Sequence, residues 1–128
     1  MERIRPRSSP PYDPARLALV DRMDPKELAT ELVSILGGKL TAAAGGVQST
    51  RLVREWISGE RMPMRPTALA TALKAARTIA DRDGGIVAQR WFVGTNHYLD
   101  HSSPIEVLAE NTADSRTRVM RAAVAFVE

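Results

Sequence analysis

The chain has 128 residues, of which 44% are hydrophobic and 26% are charged, and its formal net charge is +3. This composition excludes a largely disordered chain, and the length suffices for one compact core or two small lobes. No stretch approaches the roughly 20 apolar residues that cross a bilayer, no apolar leader stands at the N-terminus, and there is no cysteine. We therefore expect a cytoplasmic protein without disulfides or thiolate zinc sites, and with no membrane contact.

Residues 1–22 are predicted to form a flexible, Arg/Pro-rich arm. The prolines of this segment prevent a continuous helix, and its arginines favour exposure to solvent. Such an arm could lie along DNA, although a solvated chain end is the simpler interpretation. A short helical piece from Ala15 to Arg22 is compatible with the sequence.

The first long helix is predicted to begin at Asp24 and to stop at Gly37. Asp24 can cap it, Pro25 suits its first position, and Glu27 completes a capping box. Three further helices are expected in this half of the chain, over residues 40–44, 49–57 and 66–82. Asp83-Gly84-Gly85 then separates the first half from the second.

The second half is also predicted to be helical. Its clearest start signal is Ser103-Pro104-Ile105-Glu106, a capping box with proline at the first helical position. Helical segments are expected over residues 86–92, 96–100, 103–110 and 114–127. No strand pattern is present, and an aromatic content of only 5% argues against a β-sandwich. The predicted fold class is therefore all-α, with an N-terminal helix-turn-helix lobe over residues 23–83 and a small partner-binding lobe over residues 84–128.

The segment from Lys39 to Glu60 carries the helix-turn-helix pattern. Two helices can cross steeply only where the residues at the crossing are small, which is the case from Ala43 to Gly46. Val53 and Trp56 would then seal the second helix against the core and turn its arginine-bearing face to solvent. In a helix-turn-helix protein, that face enters the major groove of DNA.

Seven residues are candidates for DNA contact by their position on or near this face: Gln48, Ser49, Thr50, Arg51, Arg54, Arg61 and Arg65. We expect Gln48 and Arg51 to read base edges, and Thr50 and Arg54 to contact bases or phosphates. Ser49 would cap the helix and leave neighbouring amides for a phosphate, while Arg61 and Arg65 would hold the DNA backbone. A homodimer on paired half-sites is expected, because one such motif covers few base pairs. The alternative is an ordinary helical hairpin whose arginines only solvate a surface.

The run RWFVGTNHYLDHSSPIEVLAEN, from Arg90 to Asn111, resembles the C-terminal domain of MbcA/ParS/Xre-type antitoxins. The segment LVREWISGE is similar to the end of their helix-turn-helix, and the resemblance spans roughly residues 30–127. Members of that family are all-helical, usually dimeric, and encoded beside a RES-domain toxin that degrades NAD. They hold the toxin inactive by direct binding, and the complex commonly represses its own promoter.

The resemblance therefore implies an antitoxin that neutralises a RES-domain toxin and binds its operator DNA. The positions it implies for toxin binding are Trp91, Gly94, Asn96, Leu99, Pro104, Leu108, Arg116, Arg118 and Arg121. From the residues alone, Trp91 is more simply a core residue, Asn96 a helix cap and Pro104 a helix start. A stand-alone dimeric helix-turn-helix transcriptional regulator is the alternative function, and an interaction protein with a degenerate DNA lobe is a third.

One further sequence pattern could indicate a metal or catalytic site. His97, Asp100 and His101 form H-x-x-D-H, close to an inverted zinc-protease motif, but the catalytic glutamate and a third ligand are missing. No nucleophile elbow, phosphate-binding loop or dinucleotide fingerprint occurs. We accordingly predict no enzyme, no metal and no cofactor.

Overall fold

The computed structural model describes residues 13–128, and every regular element in that range is helical. The prediction of an all-α fold is confirmed for this part of the chain. The α-helices are α1 Pro14–Ala18, α2 Pro25–Leu36, α3 Gly38–Ala44, α4 Thr50–Ser58, α5 Pro66–Asp83, α6 Gly85–Val93, α7 Pro104–Ala109 and α8 Ala113–Val127. Two 3-10 turns cover Leu19–Arg22 and His97–Leu99. Within the described range, no helix combines the length and the apolarity that crossing a membrane requires.

Reciprocal caps define where the helices start. At α2, the Glu27 amide donates to the Asp24 carboxylate at 2.9 Å, and the Asp24 amide donates to the Glu27 carboxylate at 3.0 Å. The predicted box of Ser103 with Glu106 is also present at α7. Both boxes satisfy amides that would otherwise lack partners at a helix N-terminus.

Helix α5 is the centre of the fold, in contact with α2, α6 and α8. Leu69, Leu73 and Ile79 on this helix are fully buried. Between them lie buried alanines, whose small side chains let helices approach α5 from several sides. Helices α2, α6 and α8 therefore all pack on α5.

One hydrophobic cluster runs through both halves of the described chain. It extends from Trp56 in α4 through Leu69 to Phe92 in α6, and on to Leu108 and Val119 in the last two helices. The predicted boundary near Asp83 is a bend between α5 and α6, two helices that pack against each other. The two predicted lobes thus share a single core.

The predicted arm is shorter than residues 1–22, because the chain is already helical from Pro14. Asp13 caps α1, and Leu17 and Val20 are buried. The carboxylate of Asp21 lies 2.8 Å from the ammonium of Lys74 on α5, which ties this segment to the centre of the fold. Residues 13–22 are therefore a packed part of the domain, and the rest of the predicted arm lies outside the described residues.

Candidate nucleic-acid interface

Helices α3 and α4 meet at an elbow, residues 45–49, that depends on the absence of side chains. A Cβ built on Gly45 would lie 2.4 Å from Cη2 of Trp56, so the indole ring packs directly on the backbone. Gly46 has φ of 79°, a left-handed conformation that favours glycine. Trp56 and Val53 are each only 2% exposed, and their burial fixes which face of α4 points inward.

Replacing Gly45 by alanine is expected to destabilise the protein by about 1–3 kcal/mol, because the added methyl group collides with a buried ring. Gly38→Ala is the matched control, since its Cβ would meet Thr50 at an ordinary 3.5 Å. Gly38 is the first residue of α3 and has no positive φ, so alanine there should change the stability by about 0.5 kcal/mol or less. Urea unfolding followed by circular dichroism measures both changes. Equal stabilities for the two variants would contradict the elbow packing.

The outward face of α4 carries the residues predicted to contact DNA. Gln48 and Arg54 are exposed, as is Arg51, whose side chain keeps 72% of its surface in solvent. Thr50 is half-buried against Gly38. Gln48, Arg51 and Arg54 are thus exposed in the elbow and the first half of α4, and Thr50 is partly exposed beside them.

Ser49 is the N-cap residue of α4, as predicted. Its hydroxyl accepts a hydrogen bond from the Arg51 amide at 3.2 Å. The residue is half-buried and in an extended conformation before the helix. Its effect is to fix the direction in which α4 leaves the elbow.

Glu55 is the centre of an ion-pair cluster on this surface, a role that was not among the predicted ones. Its carboxylate accepts a hydrogen bond from Nε of Arg61 at 2.9 Å and lies 3.5 Å from Nε of Arg51. The bond from Arg61 lowers the pKa of Glu55 below its ordinary value, and the charge of Arg51 acts in the same direction. The spacing of Arg51 and Glu55 could have indicated the first contact. The second depends on the left-handed Gly59, which reverses the chain after α4.

Arg65 occupies a different environment from the one predicted. It is half-buried, and its Nη1 donates to the carbonyl oxygen of Ala109 at 3.1 Å. Its guanidinium also lies against Gly46, where a Cβ would approach within 2.8 Å of Cζ. Arg65 therefore connects the elbow to the end of α7, and we do not include it among the residues proposed to hold the DNA backbone.

Four of the nine C-terminal positions implied by the family resemblance are interior. Leu99 is 1% exposed, Leu108 is 0% exposed, and Pro104 and Trp91 are also buried. A partner cannot touch Leu99 or Leu108 without disrupting the core. In this chain Leu99 and Leu108 hold the helices together, so we do not propose them as toxin contacts.

Asn96 and Gly94 shape the loop between α6 and α7. Gly94 ends α6, and the side-chain oxygen of Asn96 accepts from the Tyr98 amide at 2.9 Å. The carbonyl oxygen of Asn96 also accepts from the amides of Leu99 and His101, each at 2.9 Å. Asn96 thus acts as a cap, which is the role that its sequence position alone suggested.

Other side chains are exposed at the end of α6 and in this loop. Val93 is 59% exposed and Tyr98 is 61% exposed, and the Tyr98 ring lies 4.3 Å from the ring of His97. The 3-10 turn His97–Leu99 ends before His101, which has φ of 67°. The zinc-protease spacing would require both histidines on one face of a helix, and this condition is not met.

The three arginines of α8 differ in their surroundings. Nη1 of Arg116 donates to the side-chain oxygen of Asn111 at 3.1 Å. Arg118 lies 3.7 Å from Glu110 and 3.9 Å from Asp114. Arg121 is exposed.

A groove of about 600 Å³ lies between α5 and α8. Met120 and Val124 supply apolar surface in it, Lys74, Arg116 and Arg121 supply positive charge, and Glu128 supplies a negative charge. None of the residues that line this groove belongs to α4, which packs on α2 and α3.

Comparison of the chain with models of known protein families gives no match, and searches among curated proteins and solved structures give no significant one. The function of this chain must therefore be inferred from its own residues.

Proposed function

We propose that the protein is a sequence-specific DNA-binding protein that uses α4 as its recognition helix. The observation that carries this proposal is the orientation of α4. Val53 and Trp56 are buried while Arg51 and Arg54 are exposed, so the outward face of the helix carries two cations. Such a surface fits the major groove and its phosphate margins.

The test starts from a random pool of DNA duplexes, from which the wild-type protein selects its preferred site. Arg51→Ala is expected to weaken binding to the selected duplex by about 1–3 kcal/mol, because a base contact is lost. Arg90→Ala, which removes an exposed arginine from α6, is the control and should bind as the wild type does. Fluorescence anisotropy gives both affinities. Failure of the wild-type protein to bind any duplex would contradict the proposal.

We further propose that the protein is an antitoxin, which binds a RES-domain toxin as a homodimer and represses its own operon. The support is the pattern of residues 90–111, together with the exposed surfaces beside it. The contacts would come from Val93, Tyr98 and the basic groove that includes Arg121, rather than from the buried motif positions. DNA and toxin would then use different residues, since no residue of α4 lines the groove.

Co-expression with the product of the adjacent gene tests the antitoxin proposal. We expect a stable complex, rescue of growth, and protection of cellular NAD. The alternative is a stand-alone dimeric regulator, for which the groove between α5 and α8 would serve as a ligand site. A dimer that binds DNA but neither binds nor neutralises its neighbour would favour that alternative.

A further inference from the structure

We propose that Glu55 is a positioning residue that holds Arg51 and Arg61 as a paired element for reading guanine in the major groove. This inference rests on the proposed DNA-binding function and names the base chemistry that α4 would recognise. It also reassigns Arg61, which the sequence placed on the DNA backbone.

The geometry begins with the chain reversal after α4. Gly59, with φ of 86°, turns the backbone so that the Arg61 amide donates to the carbonyl oxygen of Glu55 at 3.2 Å. The Arg61 side chain is thereby returned to the exposed side of α4, beside Arg51. Glu55 lies between them, with 21% of its side chain exposed, against 72% for Arg51 and 59% for Arg61. The acid is thus the least exposed member of the group, and the two guanidinium groups are the outer members.

The contacts use one edge of each guanidinium. Both arginines approach Glu55 through Nε, at 2.9 Å for Arg61 and 3.5 Å for Arg51. The terminal Nη1 and Nη2 groups of each side chain are left for an outside acceptor. A guanidinium donates two parallel hydrogen bonds through such a pair, and the matching acceptors in the major groove are O6 and N7 of guanine.

The charge of Glu55 favours bases over phosphates at this position. A carboxylate between two arginines repels the DNA backbone and offsets part of the nonspecific attraction of the surface. It also reduces the number of conformations that each arginine loses on binding, since the side chains are already oriented. The same surface without this acid would bind DNA more strongly in general and discriminate less.

The test compares wild-type protein with Glu55→Gln and with Glu60→Gln. Glu60 lies nearby and accepts a hydrogen bond from Ser58 at 3.1 Å, so its replacement removes the same charge without touching an arginine. The probes are the duplex selected by the wild type, the same duplex with 7-deazaguanine in place of guanine, and a random-sequence duplex. In 7-deazaguanine the N7 acceptor is absent.

We expect at least tenfold weaker binding of wild-type protein to the 7-deazaguanine duplex. Glu55→Gln should lower the affinity for the selected duplex about threefold to tenfold and raise that for the random duplex about twofold to fivefold. Glu60→Gln should leave the ratio of the two affinities close to that of the wild type. NMR spectra of the free proteins give a second readout. Exchange of the Arg61 Nε–H hydrogen with water should be slow in the wild type and in Glu60→Gln, and fast in Glu55→Gln.

The outcomes separate the two proposals. If the wild type selects a site but Glu55→Gln keeps the wild-type ratio, or if 7-deazaguanine has no effect, the positioning role is overturned and DNA binding stands. If the wild type binds no duplex, both are overturned.

Discussion

Replacing Leu99 by aspartate is expected to unfold the protein. Leu99 is 1% exposed in the hydrophobic cluster, and a carboxylate there would lack a partner. An uncompensated buried charge costs about 3–5 kcal/mol, a large part of the 5–15 kcal/mol that stabilises a typical domain. Guanidinium unfolding followed by circular dichroism measures the loss.

The neighbouring residue supplies the control. Tyr98 is 61% exposed, and only its backbone amide bonds to Asn96. Tyr98→Asp should therefore change the stability by about 0.5 kcal/mol or less. A fully stable Leu99→Asp variant would show that the motif residue is not in the core. Loss of toxin binding by a stable Tyr98→Asp variant would identify a true contact.

The second large effect is expected for Trp56→Ala, with a loss of about 3–5 kcal/mol. Its ring fills the space beside Gly45, and no small side chain can replace that contact. Because Trp56 determines which face of α4 is buried, DNA binding should fall together with stability. Trp56→Phe, which keeps an aromatic ring at the elbow, should lose less of both.

Fluorescence offers a second readout of the same variant. The chain contains two tryptophans, so Trp91 remains as a probe of the core at α6. In Trp56→Ala, the emission of Trp91 should report one cooperative unfolding transition, because both halves share one core. The midpoint of that transition should lie at a lower denaturant concentration than in the wild type. A loss below about 1 kcal/mol would contradict the view that Trp56 holds α4 in place.

The helices and their caps could be predicted because they depend on interactions over a few residues. The boxes at Asp24 and Ser103 follow from side chains three positions apart, and the inward face of α4 follows from the spacing of Val53 and Trp56. The exposed arginines of α4 follow from the same spacing. For that reason, the centre of the candidate DNA surface was accessible from the sequence.

The C-terminal motif shows where the sequence pattern was insufficient. The family resemblance implied Leu99, Pro104 and Leu108 as toxin contacts, but a resemblance does not distinguish a contact from a core position. Burial decides between them, and it depends on helices that come from other parts of the chain. The exposed neighbours Val93 and Tyr98 carry no sequence signal of their own.

The amino-acid sequence alone determined the all-helical fold of the described residues, the main helix starts, and the elbow that turns Arg51 outward. The contact of Arg61 with Glu55 spans only six residues, but it needs the left-handed turn at Gly59, which helical periodicity does not predict. Only the tertiary structure bonded Arg65 to Ala109 and buried Val20 in the core. The physical reason is range. Caps and periodicity act within one or two helical turns, whereas Arg65 and Ala109 are 44 residues apart and meet only because the helices pack on α5.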